Sequence, residues 1–253
     1  MPVLETENLG ITFGGLRAVE NVHFALEKEQ IMGLIGPNGA GKTTVFNLLT
    51  GVYTPTEGQI KLDGKSIVGK KTYQITKAGI ARTFQNIRLF KDMTVLDNVK
   101  VAMNYGMKYS FLSGIFSLPG YWREEAQVEQ RALELLSVFH LEGNAGDLAR
   151  NLPYGQQRKL EIARALAARP KVLLLDEPAA GMNPTETMEL MNTIQRIREQ
   201  FQVAVLLIEH DMSFVMGICE HIVVLDYGKI IASGSPEVVR NDPKVIAAYL
   251  GGE

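Results

Sequence analysis

The sequence is poor in cysteine and has no long apolar run, and each absence excludes a class of protein. Cys219 is the single cysteine among the 253 residues, so an internal disulfide and a multi-cysteine metal site are both excluded. We interpret Cys219 as a small core residue. No window approaches the roughly 18 consecutive apolar residues of a membrane-spanning helix, and the early acid in Met1–Glu5 argues against a secretory signal. We therefore expect any membrane role to depend on a partner protein.

The sequence also lacks a large excess of either positive or negative charge. The chain has 26 Lys and Arg against 28 Asp and Glu, a net charge of −2, and it has no long basic run. Strong nonspecific binding to nucleic acid is therefore not expected. Hydrophobic residues make up 46% of the sequence, enough for the core of one large domain or two small ones.

The most informative stretch is Gly36–Thr43, whose sequence GPNGAGKT fits the phosphate-loop pattern G-x-x-x-x-G-K-[ST]. The apolar residues Ile31–Ile35 before it predict a buried strand. Thr43–Thr50 after it, closed by Gly51, predicts a helix. This order of strand, loop and helix favours a phosphate site over a glycine-rich turn that binds nothing.

The residue types in this loop explain its predicted chemistry. Glycines allow backbone N–H groups to turn toward phosphate oxygens, and the start of the helix adds partial positive charge. Lys42 supplies a full charge for the outer phosphates, and the hydroxyl of Thr43 is placed for Mg²⁺. The loop therefore predicts a site for nucleotide phosphates and Mg²⁺.

Two further apolar strands end in reactive side chains. Val172–Leu175 leads into Asp176 and Glu177, and Val203–Ile208 leads to His210. Continuous apolar runs are typical of parallel strands buried on both faces, and ligands bind beyond the carboxyl ends of such strands. One nucleotide site at that edge accounts for all three strand ends.

The side chains at these strand ends have different predicted roles. Asp176, at a strand tip, can hold Mg²⁺, usually through water. Glu177 points elsewhere and can polarise an attacking water. His210 can hydrogen-bond a γ-phosphate, but a histidine at a strand end is more often structural, and the residues alone leave both interpretations open.

The remaining segments predict the rest of the fold. Residues 3–31 alternate between apolar and polar and predict antiparallel strands. Phe13 either stacks on an adenine ring or packs in the core, and the sequence leaves this open. Residues 58–68 predict a hairpin, and Glu124–Leu141 predicts a helix. The aromatic insert Asn104–Arg123 contains the only tryptophan, and we favour a local hydrophobic cluster there over a partner surface.

Taken in order, these motifs resemble an ATP-binding-cassette (ABC) ATPase over the whole chain. The resemblance rests on the phosphate loop, Gln85, the signature LPYGQQR at Leu152–Arg158, the segment Leu173–Pro178 and His210. It implies an α/β fold, with a P-loop NTPase core, an antiparallel β subdomain and an inserted α-helical subdomain. The implied ranges are 1–86 for the first part of the core, 87–158 for the helical subdomain with the signature, and 159–253 for the second part of the core.

The resemblance also implies roles for individual residues. Glu177 is the implied catalytic base, His210 the γ-phosphate switch, and Gln85 a residue that reaches both Mg²⁺ and the γ-phosphate, with Lys42 as the remaining catalytic residue. Phe13 is implied to stack on adenine. The other implied nucleotide-binding residues are Gly36, Pro37, Asn38, Gly39, Ala40, Gly41, Lys42, Thr43 and Thr44 in the loop, and Tyr154, Gly155 and Gln156 in the signature, which would contact the nucleotide of the opposite subunit. The implied residues near Mg²⁺ are Thr43, Gln85 and Asp176.

A second resemblance is narrower. FQNIRLF at Phe84–Phe90, the aromatic insert, and AAGMNP at Ala179–Pro184 are similar to the ATP-binding subunit of bacterial branched-chain amino-acid importers. This implies an ATPase that pairs with a second cassette subunit, identical or not, at the cytoplasmic face of the membrane. Residues 87–158 would dock on integral membrane permease subunits, and a periplasmic or extracellular solute-binding protein would be an indirect partner. Nucleic acid is not among the implied partners.

The chain departs from the family pattern at two places. The usual signature is Leu-Ser-Gly-Gly-Gln, whereas this chain has Pro153 for the serine and Tyr154 for the first glycine. Pro153 lacks both a hydroxyl and an N–H group. Asn183 stands where the family usually has an acid at the dimer seam.

Two other classes of protein share the motifs. Nucleic-acid ATPases of the chromosome-maintenance or repair type carry long coiled coils or zinc modules, and this chain has neither the heptads nor the cysteines for them. Regulatory or translation-associated cassettes usually hold two cassettes per chain, whereas this chain has one. We therefore favour a transport ATPase in which ATP-driven dimer closure moves a permease.

Overall fold

The computed structural model describes residues 1–103 and 119–250, with the backbone alone for residues 119–124 and 250. The aromatic insert Asn104–Arg123 therefore lies outside the described residues, entirely for residues 104–118 and in its side chains for the remainder. The choice between a hydrophobic cluster and a partner surface stays a prediction.

The described residues form ten strands and nine α-helices. The strands are β1 (Leu4–Phe13), β2 (Leu16–Leu26), β3 (Ile31–Ile35), β4 (Glu57–Leu62), β5 (Lys65–Ser66), β6 (Ile80–Arg82), β7 (Val172–Asp176), β8 (Ala204–Ile208), β9 (His221–Asp226) and β10 (Lys229–Gly234). The helices are α1 (Lys42–Leu49), α2 (Thr72–Ala78), α3 (Val95–Met103), α4 (Pro119–Val138), α5 (Tyr154–Ala167), α6 (Pro184–Phe201), α7 (Met212–Ile218), α8 (Pro236–Arg240) and α9 (Pro243–Leu250). Of these helices, none combines the length and the apolar character that crossing a membrane requires.

Six strands form the sheet that carries the predicted site. Their order is β10–β9–β3–β8–β7–β6, and all neighbours are parallel except β9 and β10. Every residue of β3, β7 and β8 is buried, as expected for strands covered on both faces. Because β3, β8 and β7 are adjacent and parallel, their carboxyl ends meet at one edge of the sheet, as the sequence predicts.

The other four strands form an antiparallel sheet in the order β2–β1–β4–β5. Gly14 and Gly15 make the turn between β1 and β2, and Asp63 and Gly64 make the turn between β4 and β5, with φ of +47° and +72°. One hydrophobic core contains buried side chains from both sheets and from α1. This sheet is the predicted antiparallel part of the fold.

The chain divides into two compact units. The first consists of Met1–Gln85, Pro170–Ala180 and the chain from Thr187 onward, and it contains both sheets. The second consists of Asn86–Arg169 and Gly181–Glu186, and it contains α3, α4 and α5. The predicted fold class, an α/β core with an antiparallel sheet and an inserted helical part, is confirmed. The predicted end of the helical part at residue 158 falls inside α5, which lies wholly in the second unit because it packs against α3 and α4.

Helix α4 corrects one predicted boundary. The sequence predicts a helix over Glu124–Leu141, whereas α4 spans Pro119–Val138. His140 has φ +57°, and its N–H donates to the carbonyl of Ser137 at 3.1 Å. The apolar stripe continues beyond the point at which the backbone turns away from the helical conformation.

Candidate functional site

The phosphate loop joins β3 to α1 and has a backbone that requires glycine at three positions. Gly36 has φ +149°, Gly39 has φ +80° and Gly41 has φ +102°, values that residues with a Cβ rarely adopt. A Cβ at Gly36 would lie 2.0 Å from the carbonyl oxygen of Leu225, and one at Gly41 would lie 3.0 Å from that of Ala18. One side of the loop is therefore packed against backbone of its own unit.

The middle of the loop differs from its packed ends. Ala40 is buried and Pro37 is half-buried, whereas Asn38 and Gly39 are exposed. A Cβ at Gly39 would meet no atom within 4 Å. This part of the loop is accessible to a ligand.

The start of α1 adds a feature that suits an anion. Its N-cap is Gly41, which provides no side-chain acceptor for the N–H groups of the first turn. That turn includes Thr43, which is exposed, and Thr44, which is half-buried. A helix start with uncapped N–H groups binds phosphate readily.

Lys42 places its ammonium inside the loop. The Nζ donates to the carbonyl oxygens of Gly36 at 2.6 Å and Pro37 at 2.9 Å, and the residue is 6% exposed. Burial lowers the pKa of Lys42, while the nearby carboxylates of Glu177 and Asp176 act to raise it. A cation held in so little water attracts phosphate strongly.

Asp176 is the last residue of β7 and is 4% exposed. Its Oδ2 accepts a hydrogen bond from the Nη2 of Arg82 at 2.7 Å. Its backbone N–H donates to the Oγ1 of Thr83 at 3.4 Å. The Asp176 carboxylate, which belongs to β7, is therefore fixed by a side chain of β6.

Glu177 lies between two predicted site residues. Gln85 donates from Nε2 to one carboxylate oxygen at 2.8 Å, and the Nε2 of His210 lies 2.7 Å from the other. Because a carboxylate only accepts hydrogen bonds, the Nε2 of His210 carries the proton in this contact. Glu177 has φ +48°, a left-handed conformation that costs a residue with a side chain about 1–3 kcal/mol. The backbone N–H of Glu177 donates to the carbonyl of Ile208 at 2.9 Å, which helps to fix this conformation.

Glu209 belongs to the site although the sequence analysis gave it no role. It is 4% exposed, and its two carboxylate oxygens accept the N–H groups of Ala179 at 2.7 Å and His210 at 3.0 Å. Burial raises the pKa of Glu209, and these backbone bonds act in the opposite direction. One buried carboxylate thus ties the loop after Glu177 to the backbone of His210.

Phe13 lies at the end of β1 and is 42% exposed. Of the two possibilities left open by the sequence, the core position is therefore wrong. The ring meets that of Tyr53 edge to face, with centroids 5.2 Å apart and an interplanar angle of 72°. Two accessible aromatic rings are suited to stacking on a base, and the second was not identified from the sequence.

The signature residues lie in the second unit, at the start of α5. Pro153 is the N-cap of this helix, and Tyr154 is its first residue. Tyr154 is 46% exposed, and its ring centroid lies 5.6 Å from the guanidinium of Arg158. Gly155 is buried, and a Cβ there would lie 3.0 Å from a carboxylate oxygen of Glu186, so a larger residue would require the Glu186 side chain to shift.

The buried end of the signature is anchored within the same unit. Arg158 is 2% exposed and pairs with Glu161 at 3.3 Å. Glu161 also accepts the backbone N–H of Arg88 at 3.1 Å. Gln156 is half-buried. The signature therefore presents an exposed helix start on a fixed base.

Six predicted residues lie at the carboxyl edge of the six-stranded sheet. Glu177 contacts Gln85 and His210 directly, and its charge, like that of Asp176, acts on Lys42. Thr43 follows Lys42 on the first turn of α1. The signature residues Leu152–Arg158 belong to the second unit.

The donor set at this edge suits Mg²⁺. A carboxylate, a hydroxyl and an amide oxygen, from Asp176, Thr43 and Gln85, are the hard oxygen ligands that this ion prefers. In the part of the chain that is described, no group of three or more His, Cys, Asp and Glu side chains could hold a metal ion.

Comparisons with known proteins identify the family. A family model described as "ABC transporter" matches residues 19–180, and one described as "Branched-chain amino acid ATP-binding cassette transporter" matches residues 229–253. The high-affinity branched-chain amino acid transport ATP-binding protein BraF of Pseudomonas aeruginosa is 50% identical over 250 residues, which is 99% of this chain and 98% of BraF. LivG of Escherichia coli, with the same description, is 48% identical over the same shares.

Solved structures give the same result. An ATP-binding cassette of an ABC transporter in its ADP conformation has a TM-score of 0.86 and 33% identity, with all of both chains covered. A nucleotide-free ATP-binding cassette from an ABC transporter has a TM-score of 0.85 and 33% identity, again with complete coverage of both. The likeness in fold extends over the whole length of both solved chains.

Proposed function

This chain belongs to the ABC transporter family, and we propose that it is the ATP-binding and ATP-hydrolysing subunit of an importer for branched-chain amino acids. The observation that carries the catalytic part is the setting of Glu177. Its carboxylate is held through both oxygens, by Gln85 and His210, at the sheet edge that also bears Lys42. A carboxylate fixed beside a phosphate loop is suited to act as a general base.

The proposed reaction is attack of water on the γ-phosphorus of ATP, in which the bond to the β–γ bridging oxygen breaks and ADP and phosphate are released. Lys42 and the backbone N–H groups of the loop and of the first turn of α1 bind the outer phosphates. Glu177 takes the proton of the attacking water, and Gln85 orients its carboxylate. The Nε2–H of His210, which donates to Glu177 in this structure, donates to the γ-phosphate instead when ATP is bound, so that this hydrogen bond depends on the presence of the γ-phosphate.

Thr43, Gln85 and Asp176 are the proposed ligands of Mg²⁺. When bound, Mg²⁺ neutralises charge on the phosphate oxygens. Phe13, with Tyr53 beside it, is proposed to stack on the adenine ring. Phe13 is the last residue of β1 in the antiparallel sheet, and Tyr53 lies in the loop between α1 and β4.

We also propose a dimer, homomeric or heteromeric. The signature residues Tyr154, Gly155 and Gln156 would contact the nucleotide held by the second subunit. Exposure of Tyr154 at a helix start supports this role, because uncapped N–H groups there can meet phosphate oxygens. ATP binding would then draw the two cassettes together, and hydrolysis would release them.

The transported solute and the partners rest on the relatives. BraF and LivG are described as branched-chain amino acid transport proteins, and they match this chain over nearly its full length. We infer that residues 87–158 dock on permease subunits at the cytoplasmic face of the membrane. A solute-binding protein outside the membrane would be an indirect partner, and nucleic acid would not be one.

Nucleotide binding tests the first part of this proposal. Lys42→Ala should abolish equilibrium binding of ATP with Mg²⁺ without lowering the melting temperature greatly, because the substitution removes the one full charge in the loop. Lys171→Ala, which removes an exposed lysine paired with Asp63 in the same unit, should bind as the unaltered protein does. Equal affinity in Lys42→Ala and Lys171→Ala would show that the loop is not the site.

Transport tests the second part. The chain, purified with the permease subunits that accompany it from solubilised membranes, should drive ATP-dependent uptake of leucine, isoleucine and valine into vesicles. Lysine is the control solute and should not be taken up. Complexes that carry Lys42→Ala are the control for ATP dependence and should not drive uptake. ATPase activity that responds to DNA or ribosomes, with no co-purifying membrane protein, would favour the competing class of cassette.

A further inference from the structure

Arg82 is a buried arginine at the predicted site to which the sequence analysis gave no role. It is the last residue of β6, and its side chain is 7% exposed. The guanidinium donates from Nη2 to Oδ2 of Asp176 at 2.7 Å and from Nη1 to Oδ1 of Asn47 at 2.8 Å. The Oγ1 of Thr50 lies 3.5 Å from Nη1. One side chain therefore links a proposed Mg²⁺ ligand to helix α1.

Two aromatic rings complete the setting of Arg82. Its guanidinium carbon lies 5.4 Å from the ring centroid of Phe46 and 5.1 Å from that of Phe84, within the range of a cation–π interaction. The Nε is buried and has no hydrogen-bond partner in the part of the chain that is described. A planar guanidinium held by hydrogen bonds at both ends and by two rings is fixed in one orientation.

The helix to which Arg82 is bound is the one that starts the phosphate site. Asn47 and Phe46 lie on α1, within two turns of Lys42 and Thr43 at its start. Arg82 therefore sets the position of the Asp176 carboxylate relative to the helix that carries the proposed phosphate and Mg²⁺ ligands. The contacts that make this connection all lie within the first unit.

The charge on Asp176 makes the contact necessary. A carboxylate that is 4% exposed needs a partner, since an unpaired buried charge is strongly unfavourable. Arg82 meets this need through Oδ2, so the carboxylate keeps Oδ1 for a second ligand. Binding a metal through Oδ1 does not require the buried ion pair to break.

We propose that Arg82 is a positioning residue for Mg²⁺, which fixes the carboxylate of Asp176 by one oxygen and leaves the other to the metal. The inference rests on the proposed ATP-binding function and adds to it a residue that touches neither metal nor nucleotide. Hydrogen-bonding partners of ligating carboxylates typically change metal affinity about 10–100-fold. The charge of Arg82 does not repel the ligand as a whole, because ATP with Mg²⁺ remains an anion.

Arg82→Lys separates orientation from charge. The lysine keeps the positive charge, but a single ammonium cannot bond Asp176 and Asn47 in one plane as the guanidinium does. The Kd for ATP in the presence of Mg²⁺ should rise about 10–100-fold, whereas the Kd for ATP in excess EDTA should not change. Equilibrium dialysis measures both. Arg198→Lys, which alters a pair with Glu220 in the same unit, is the matched control and should change neither.

Two further variants keep the inference testable if Arg82→Lys folds poorly. Asn47→Ala removes only the anchor on α1 and should weaken Mg²⁺-dependent binding in the same direction by a smaller factor. Asp176→Asn should likewise raise the Kd for ATP in the presence of Mg²⁺. Adding Arg82→Lys to Asp176→Asn should not raise this Kd further, because Arg82 acts through Asp176.

The outcomes separate this inference from the proposed function. If Arg82→Lys or Asn47→Ala lowers the melting temperature but keeps the unaltered ratio of the two Kd values, Arg82 serves packing alone and the inference is wrong. If the unaltered protein binds ATP neither with Mg²⁺ nor without it, the proposed function itself fails. A normal Mg²⁺ preference in the unaltered protein together with a lowered one in Arg82→Lys supports both.

Discussion

The carboxyl edge of the six-stranded sheet and the signature at Leu152–Arg158 are both proposed to meet nucleotide, but they are built differently. At the edge, the Asp176 and Glu177 side chains are 6% and 16% exposed, and each is held by other side chains. At the signature, Tyr154 is 46% exposed at an uncapped helix start. The edge is organised by contacts within its own unit, whereas the signature presents an open surface.

This difference predicts two kinds of mutational effect. Changes at the edge should alter binding or chemistry within a single chain, because the groups that orient each other are already in contact. Changes at the signature should alter the association of two chains, because its exposed groups have room for a ligand from elsewhere. The following experiments test that division, starting with the largest effect.

Glu177→Gln should give the largest effect. The amide cannot accept the proton of the attacking water, and loss of a general base costs roughly 10²–10⁴ in rate. ATP binding should persist, because Lys42 and the loop are unchanged. Steady-state phosphate release and equilibrium ATP binding measure the two quantities separately, and size exclusion with ATP should show a dimer that the hydrolysing protein does not accumulate.

Glu220→Gln is the matched control for this substitution. Glu220 lies in the same unit and pairs with Arg198 at the surface, so its loss should leave hydrolysis unchanged. Near-normal hydrolysis by Glu177→Gln would remove Glu177 from the role of base, and would leave the edge as a binding site only.

Glu209→Gln should have an intermediate effect. The Glu209 carboxylate accepts N–H groups from Ala179 and His210, whereas an amide has one acceptor oxygen, so one buried donor loses its partner. That loss costs about 1–3 kcal/mol, and we expect hydrolysis to fall about tenfold because the loop after Glu177 and the backbone of His210 are no longer tied together. Initial rates at saturating ATP measure this. An unchanged rate would mean that the loop is fixed by other contacts.

The same variant should change how stability depends on pH. Burial raises the pKa of Glu209 above its ordinary value of 4.5, so the folded state holds this proton more tightly than the unfolded state does. The stability that this group contributes is complete below pH 4.5 and is lost as the pH rises through the raised pKa. The glutamine does not titrate.

The melting temperature of the unaltered protein minus that of Glu209→Gln should therefore fall between pH 4.5 and neutrality. About 1 kcal/mol corresponds to roughly 2–4 °C for a chain of this size, which calorimetry resolves. Glu161, whose pKa burial also raises, is present in both proteins and cancels. A constant difference across this range would contradict the assignment of the raised pKa to Glu209.

The parts of the molecule that were predicted from the sequence are those with a local signal. The apolar runs of β3, β7 and β8 and the glycine pattern of the loop each lie within a few consecutive residues. These local patterns were sufficient to predict the carboxyl edge of the sheet and the reactive residues at the ends of three of its strands. Gln85 and the signature came from resemblance to a family, because no physical pattern of their own marks them.

The parts that were missed depend on distant contacts. Strand β6 is three residues long and has no periodicity, since it exists by pairing with β7; Arg82 was missed with it. Glu209 acts on Ala179, 30 residues away in sequence, and Tyr53 meets Phe13 from another element. Such pairs cannot be read from one stretch of sequence, because folding alone brings them together.

Pro153→Ser tests the signature and should have the smallest effect. Pro153 is the N-cap of α5, with φ −54° and ψ 153° and no side-chain cap, a conformation that serine adopts easily. A serine there can accept a first-turn N–H as a cap and still donate its own hydrogen to a phosphate. A hydrogen bond to a charged group contributes about 1.5–3 kcal/mol, whereas loss of the rigid proline costs about 0.4–1 kcal/mol.

The free energy of the added hydrogen bond should therefore exceed the cost of the lost rigidity. Pro153→Ser, made in the Glu177→Gln background, should lower the Kd of the ATP-bound dimer severalfold. Pro153→Ala in the same background is the matched control, because it loses the same rigidity and gains no donor, and it should weaken the dimer slightly. Sedimentation across a concentration series with ATP gives the two dimer Kd values. If serine and alanine give the same Kd, position 153 does not face the nucleotide of the second subunit, and the open surface of the signature must meet it through Tyr154 and the N–H groups that follow.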